Sequence, residues 1–227
     1  MTTLDVDHSS ANAPAFSERL KAETDAAHRE TEQSGFVGAL LGGKLTQAAL
    51  AALLGQTYLV YTSLEEAGRT HADNALVSPF LSDDLLRVAA LEADLEFLIG
   101  ENWREGLEAM PATERYVARL QEVGVDWPAG FVAHHYLRYM GDLSGGQIIR
   151  RMLERAYGLQ TDGLRFYTFD GIPKPKPFKD AYRANLDALD ITAEEQQKFI
   201  DEVNIAYRLN GDLFSDLEGN IESYLVK

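Results

Sequence analysis

His28 and Glu32 stand four residues apart in a stretch with helical rhythm, so both side chains fall on one helix face. A histidine so placed can bind a metal through one ring nitrogen. The carboxylate accepts a hydrogen bond from the other, which fixes tautomer and ring orientation. Lys21 lies seven residues earlier on that face, about 10 Å along the axis at 1.5 Å per residue. A second cluster sits in residues 131–153, FVAHHYLRYMGDLSGGQIIRRML. There Gly141, Gly145 and Gly146 interrupt a helical pattern. Each interior glycine costs roughly 1 kcal/mol relative to alanine, so three cost about 3 kcal/mol. A chain keeps glycines there when the helix must bend, or when something must touch its backbone.

The elements that must carry these residues are helical. Residues 16–33 suit a helix capped near Ser17. A long helix is expected from Thr46 to about Thr70. Ser82, Asp83 and Asp84 read as the start of a helix running to about Ile99. Pro111 opens another, ending near Gly124. Asp126 and Pro128 start the glycine-bearing helix. Residues 157–177 are rich in glycine and proline and read as an irregular connector. Helices follow at about 178–189 and, from the capping box of Thr192 and Glu195, to about Leu217. Phe166–Phe169 is the best strand candidate and is too short to change the class. The pattern predicts one all-α domain of seven to nine helices over residues 15–219. Residues 1–14, which include His8, and 220–227 read as tails.

Composition narrows the chemistry. There is no cysteine, which excludes disulfides, thiolate zinc sites and iron–sulfur clusters and suits a reducing cytoplasm. A formal charge of −15 argues against broad binding to nucleic acid. No apolar run approaches the roughly 20 residues of a membrane span, and the N-terminus is not a secretory signal.

Leu143-Ser144-Gly145-Gly146-Gln147 matches the signature motif of ABC-type ATPases, and Gly38–Leu45 nearly forms a P-loop. The nucleotide reading fails on its parts. A P-loop needs Ser or Thr directly after Lys44, where Leu45 stands, and it needs a preceding strand. No apolar run ending in a metal-binding aspartate follows the motif. Gly42-Gly43 reads instead as a helix C-cap.

In an all-α chain, a large flat cofactor held between two helices would press on glycines. It would need an axial ligand from the opposite helix, and histidine is the usual one. Lys21 is then well placed to reach a carboxylate on the cofactor's rim. The run Val132-Ala133-His134-His135-Tyr136-Leu137-Arg138-Tyr139-Met140-Gly141-Asp142-Leu143-Ser144-Gly145-Gly146-Gln147 closely resembles the distal helix of haem oxygenases. Lys21 to Glu32 resembles their proximal helix. Tyr58 to Glu66 and Phe178 to Arg183 match in order as well. The likeness covers about residues 16–217 and is to the soluble bacterial, biliverdin-producing type.

That resemblance implies a fold in which haem b is sandwiched between a proximal helix (about 16–33) and a kinked distal helix (about 128–156). It implies an oxidoreductase that opens haem with dioxygen and electrons to biliverdin, carbon monoxide and ferrous iron, for iron release. His28 would be the axial ligand, with Glu32 as its hydrogen-bond partner. Gly141 and Gly145 would let the distal backbone crowd the iron and the oxygen. Asp142 would deliver protons through ordered water, supported by Tyr61 and Arg138. Lys21, Tyr136, Lys179 and Arg183 would bind the propionates, a local group of cations on an acidic chain. Asp25 replaces a lysine found in some relatives and is expected to face solvent or pair with Arg29.

The electron donor would be a ferredoxin or an NADPH-dependent flavoprotein reductase, Lys174 and Lys176 being surface charges available for docking. The chain is expected to be a cytoplasmic monomer. His134 and His135 are adjacent, face different directions and are expected to be structural. His71 should complement a helix dipole. Asn210 has no account from sequence. Two other classes compete with this reading. A haem carrier of the same fold needs no glycine-lined pocket and no Asp142. A di-iron oxidase usually needs Glu-x-x-His pairs, and no histidine here has Glu three residues before it.

Overall fold

The computed structural model describes residues 14–226. The expectation of an N-terminal tail falls almost wholly on residues 1–13, and so outside the described residues, as does His8. Among the described residues the structure is helical, with one isolated bridge between Leu45 and Leu225 and no strand. None of these helices is long and apolar enough to cross a membrane.

The core is built around two long helices. Helix α3 (Gln47–Thr70) carries Leu50, Leu54, Val60, Tyr61 and Leu64 fully or almost fully buried. It packs on α4 (Val88–Ile99) and α5 (Pro111–Asp126). Helix α9 (Ala193–Glu218) forms a spine about 39 Å long at 1.5 Å per residue. Its start is the expected capping box, with Thr192 and Glu195 each satisfying the other's backbone N–H.

Helix α1 (Phe16–Glu32) buries only Phe16, Ser17, Leu20 and Thr24. That narrow stripe leans on α9, where the Phe16 and Phe199 rings meet edge-on at 5.3 Å. The rest of α1, His28 included, is left free for other contacts. Helix α2 (Gly35–Leu41) ends at Gly42-Gly43. Gly43 has φ +69°, the left-handed turn of a helix stop, in line with the C-cap reading and against a phosphate loop.

Residues 128–157 form the expected long bent helix, but the bend is made differently. Helix α6 (Pro128–His135) passes through a π-helical turn, Tyr136–Met140, into α7 (Gly141–Tyr157). The wide turn precedes the glycines rather than containing them. Gly141 itself has φ −62° and ψ −52°, an ordinary helical conformation open to any residue.

Four expectations are corrected. Ser82, Asp83 and Asp84 cap only a short 3-10 turn, Asp83–Leu85. Helix α4 begins later because Glu65 of α3 accepts the N–H groups of Arg87 and Val88 at 2.5 and 3.0 Å, a cap supplied from elsewhere in the chain. Phe166–Phe169 is no strand. It begins in a 3-10 turn, Arg165–Tyr167, whose first two N–H groups are accepted by buried Asp94 at 2.9 and 2.8 Å. The helix expected from Phe178 starts at Pro175, as α8 (Pro175–Asp187), since proline suits a first helical turn. The segment after 219, expected as a tail, is docked. Tyr224 accepts the N–H of Thr46 at 2.7 Å, Val226 donates to Lys44 at 3.1 Å, and Tyr224 sits edge-on to Phe36.

Candidate functional site

Helix α1 and the distal segment 136–157 lean on the same neighbours, α8 and α9, and scarcely touch each other. The expected haem site would lie between α1 on one side and the π turn and α7 on the other. His28 lies on its α1 side, about half exposed, with its ring edge-on to Tyr207 of α9 at 5.5 Å. Glu32 is its neighbour as expected, with Nε2 and Oε1 3.4 Å apart. That contact is an ion-pair approach rather than a formed hydrogen bond, and it uses Nε2 rather than Nδ1. Both side chains are exposed enough to rotate, so a metal at Nε2 would turn Nδ1 towards the carboxylate.

On the opposite side, a Cβ added to Gly141 would meet no atom within 4 Å, and one added to Gly145 only Ile149 Cδ1 at 4.0 Å. Their backbone needs no glycine, so the missing side chains leave space outside the helix. Gly146, which had no role from sequence, is different. It is buried with Tyr167 at 3.7 Å from its Cβ position, a helix-to-loop packing contact.

Asp142 points to the other side of the bend. Tyr61, fully buried on α3, donates to its carboxylate. The Arg138 guanidinium lies over the Tyr61 ring, 4.9 Å from its centre, and donates through Nη1 to Asn210 Oδ1 at 2.5 Å. A salt bridge between Arg138 and Asp142, the plain alternative, is not formed among the described residues. Burial raises the Asp142 pKa, and Arg138 and the Tyr61 hydrogen bond only partly pull it back. Burial, then Asp142, raises the Tyr61 pKa far above ordinary, so Tyr61 remains a donor. Burial works against the Arg138 charge, but the Tyr61 and Asp142 oxygens outweigh it and raise its pKa. Arg138 Nε and the Tyr116 hydroxyl are buried with no protein partner. Each is a donor able to take up water or a ligand atom. Sequence reading noticed Asn210 as an odd polar residue without placing it. It missed Tyr116, an unremarkable apolar-face position on α5.

Two of the expected cations, Lys179 and Arg183, stand about one turn apart on α8. Lys179 Nζ on α8 donates to Ser144 Oγ on α7 at 3.1 Å. Arg183, one turn on, pairs with Asp180 at 2.9 Å and lies near enough to lower the Tyr136 pKa against the larger effect of burial, which raises it. Lys21 is exposed and has no salt bridge among the described residues. Asp25 pairs with Arg29, as expected. Lys176 pairs with Asp180.

The other histidines among the described residues have partners. His134 hydrogen-bonds Glu202 at 2.8 Å, and Arg119 holds the same carboxylate in a fork. His135 hydrogen-bonds the Tyr182 hydroxyl at 2.9 Å. His71, at the end of α3, contacts the Gly124 carbonyl instead of acting on its helix alone. A cavity of about 760 Å³ lies between the end of α1, the start of α2 and α9. His28 and Gly141 do not line it, and it is not this site.

An all-α protein with an exposed histidine on one helix, two unfilled glycine positions on another and cations on a third has the parts that a flat, anionic, metal-centred ligand requires. The chain belongs to the haem oxygenase family: that family's model matches residues 14–216. Heme oxygenase 1 of Bos taurus is 38% identical over 207 residues, covering 90% of this chain and 72% of that protein. Heme oxygenase 1 of a Nostoc species is 38% identical over 204 residues, covering 89% and 86%. The crystal structure of heme oxygenase-1 from the cyanobacterium Synechocystis, in complex with heme, superposes with a TM-score of 0.88 at 35% identity. It covers 92% of this chain and 95% of that one. The chain is thus an enzyme of haem degradation with the all-α fold of that family.

Proposed function

We propose that haem b is both substrate and cofactor here, held between α1 and the distal segment with His28 as axial ligand. With dioxygen and external electrons the ring is opened to biliverdin, carbon monoxide and ferrous iron, and iron release is the purpose. Haem would supply the iron that activates dioxygen and an external donor the electrons; binding, orientation and proton handling are the work of this chain's residues. His28 binds and Glu32 orients it. Lys21, Lys179, Arg183 and Tyr136 bind the propionates, with Lys179 exchanging its Ser144 contact for a stronger charged one. Gly141 and Gly145 let the distal backbone lie against the ring face. That close approach leaves room for dioxygen in one direction and so favours one meso carbon.

Asp142 holds a proton relay in place. Its raised pKa and its Tyr61 donor suit a group that orders water and passes protons without acting as a bulk acid. Arg138, anchored by Asn210, sets the charge balance around it. The observation that carries the reading is the pairing of two glycines, each with open space where its side chain would be, with Asp142 and its buried Tyr61 donor. A pure carrier has no use for the second half of that pair.

The electron donor is a ferredoxin or a flavoprotein reductase, meeting a monomeric protein in the cytoplasm. The test is haemin titration of the parent and of His28→Ala. The parent should give a sharp Soret band with histidine ligation, and His28→Ala should lose that ligation and regain it with added imidazole. An unchanged spectrum in His28→Ala would overturn the assignment.

A further inference from the structure

The hydrogen bond between His135 and Tyr182 joins the distal segment to α8 and is absorbed by none of the roles above. Both side chains are buried. His135 Nδ1 lies 2.9 Å from the Tyr182 hydroxyl, and the two rings are nearly parallel, 10° apart at 5.8 Å. His135 is wedged further between Phe131 and Tyr139, and Tyr182 is backed by Phe80 at 4.9 Å. His135 is the last residue of α6 before the π turn. Tyr182 stands three residues after Lys179 and directly before Arg183. The contact therefore ties the point where the distal helix widens to the helix that carries two of the rim cations.

We propose that His135 is a positioning residue for the propionate clamp: through Tyr182 it sets the height and rotation of α8, and with them Lys179 and Arg183, against the distal helix. This rests on the haem reading above. The only other polar link from residues 128–157 to α8 among the described residues is Lys179 to Ser144, and it ends on a flexible lysine whose charge a propionate would draw away. The His135–Tyr182 bond is free to remain in place throughout. An apolar contact alone would permit sliding, whereas a buried hydrogen bond fixes one register. Burial pushes the His135 pKa down to about 3, so the imidazole stays neutral beside the clamp and adds no charge to compete for the propionates.

Two ring-preserving variants test this. His135→Phe leaves the Tyr182 hydroxyl without its partner, Tyr182→Phe removes the hydroxyl, and the double variant removes both. Each is titrated, by fluorescence, with metal-free protoporphyrin IX and with its dimethyl ester, which lacks the two carboxylate charges. Each single variant should weaken protoporphyrin IX by about tenfold while changing the ester by less than about twofold. The double variant should be no weaker than either single one. Equal loss for both porphyrins, or no loss for either, would overturn the positioning role while leaving the haem reading intact. A parent protein that binds neither porphyrin would overturn both.

Discussion

Alanine at Gly141 should stabilise the protein without ligand and damage the site. The added methyl would meet no atom within 4 Å, and the backbone is already helical, so nothing strains. The helix should gain about 1 kcal/mol from losing a glycine, worth about 2–4 °C in melting temperature for a chain of this size. Gly145→Ala should behave alike, since its methyl would touch only Ile149 at 4.0 Å. In the expected haem site the same methyl stands where the ring must lie. Overpacking of that kind costs about 1–3 kcal/mol, or roughly tenfold in haemin affinity. Gly146→Ala serves as the control. Its methyl would face Tyr167 at an ordinary contact distance, so stability should hold and haemin affinity should not change. Melting curves and haemin titrations of the three variants read both quantities. A Gly141→Ala protein that melts lower, or binds haemin and turns it over like the parent, would refute the reasoning that this glycine exists to leave space.

Asp142→Ala should keep haemin binding but lose most biliverdin formation, and should destabilise by about 1–3 kcal/mol because the Tyr61 hydroxyl is left buried and unpaired; urea unfolding and product spectra check both. Asn210→Leu should cost a similar amount by orphaning Arg138, and should lower turnover more than haemin affinity, measured by comparing kcat with the binding curve. Burial lifts the Asp94 pKa to about 6, above its value in an unfolded chain, so the protonated form favours the fold. Its contribution is full below the ordinary carboxylate range and is lost as pH rises through about 6. Unfolding midpoints from about pH 4 to pH 7 should show a downward component that Asp94→Asn removes.

Much of the helical frame can be read from local signals. The Thr192–Glu195 box, Pro111, Pro128 and the Gly42-Gly43 stop act within one turn of the chain, and the elements stand where those residues put them. What could not be read depends on partners distant in sequence. Glu65 caps α4 and Asp94 caps the turn at Arg165, so the acids at 83–84 lose the helix start they mark elsewhere. The π turn leaves no trace in composition, since its residues are ordinary helix formers. The ligand-facing residues carry chemical types and spacings, which is why His28, Glu32, Gly141, Gly145 and Asp142 were found. Asn210 matters because α9 brings it to Arg138, and a helix-to-helix meeting has no spacing to read. The docked segment after 219 is the same case, held by Lys44 and Thr46 between α2 and α3.

A single turnover of the haemin complex, with a reductant and oxygen supplied, tests the central claim most directly. The Soret band should decay as biliverdin absorbance rises, with one carbon monoxide released per haem and iron available to a ferrous chelator. A Soret band that persists under those conditions, with no carbon monoxide, would contradict the account and leave a haem-binding protein without the reaction.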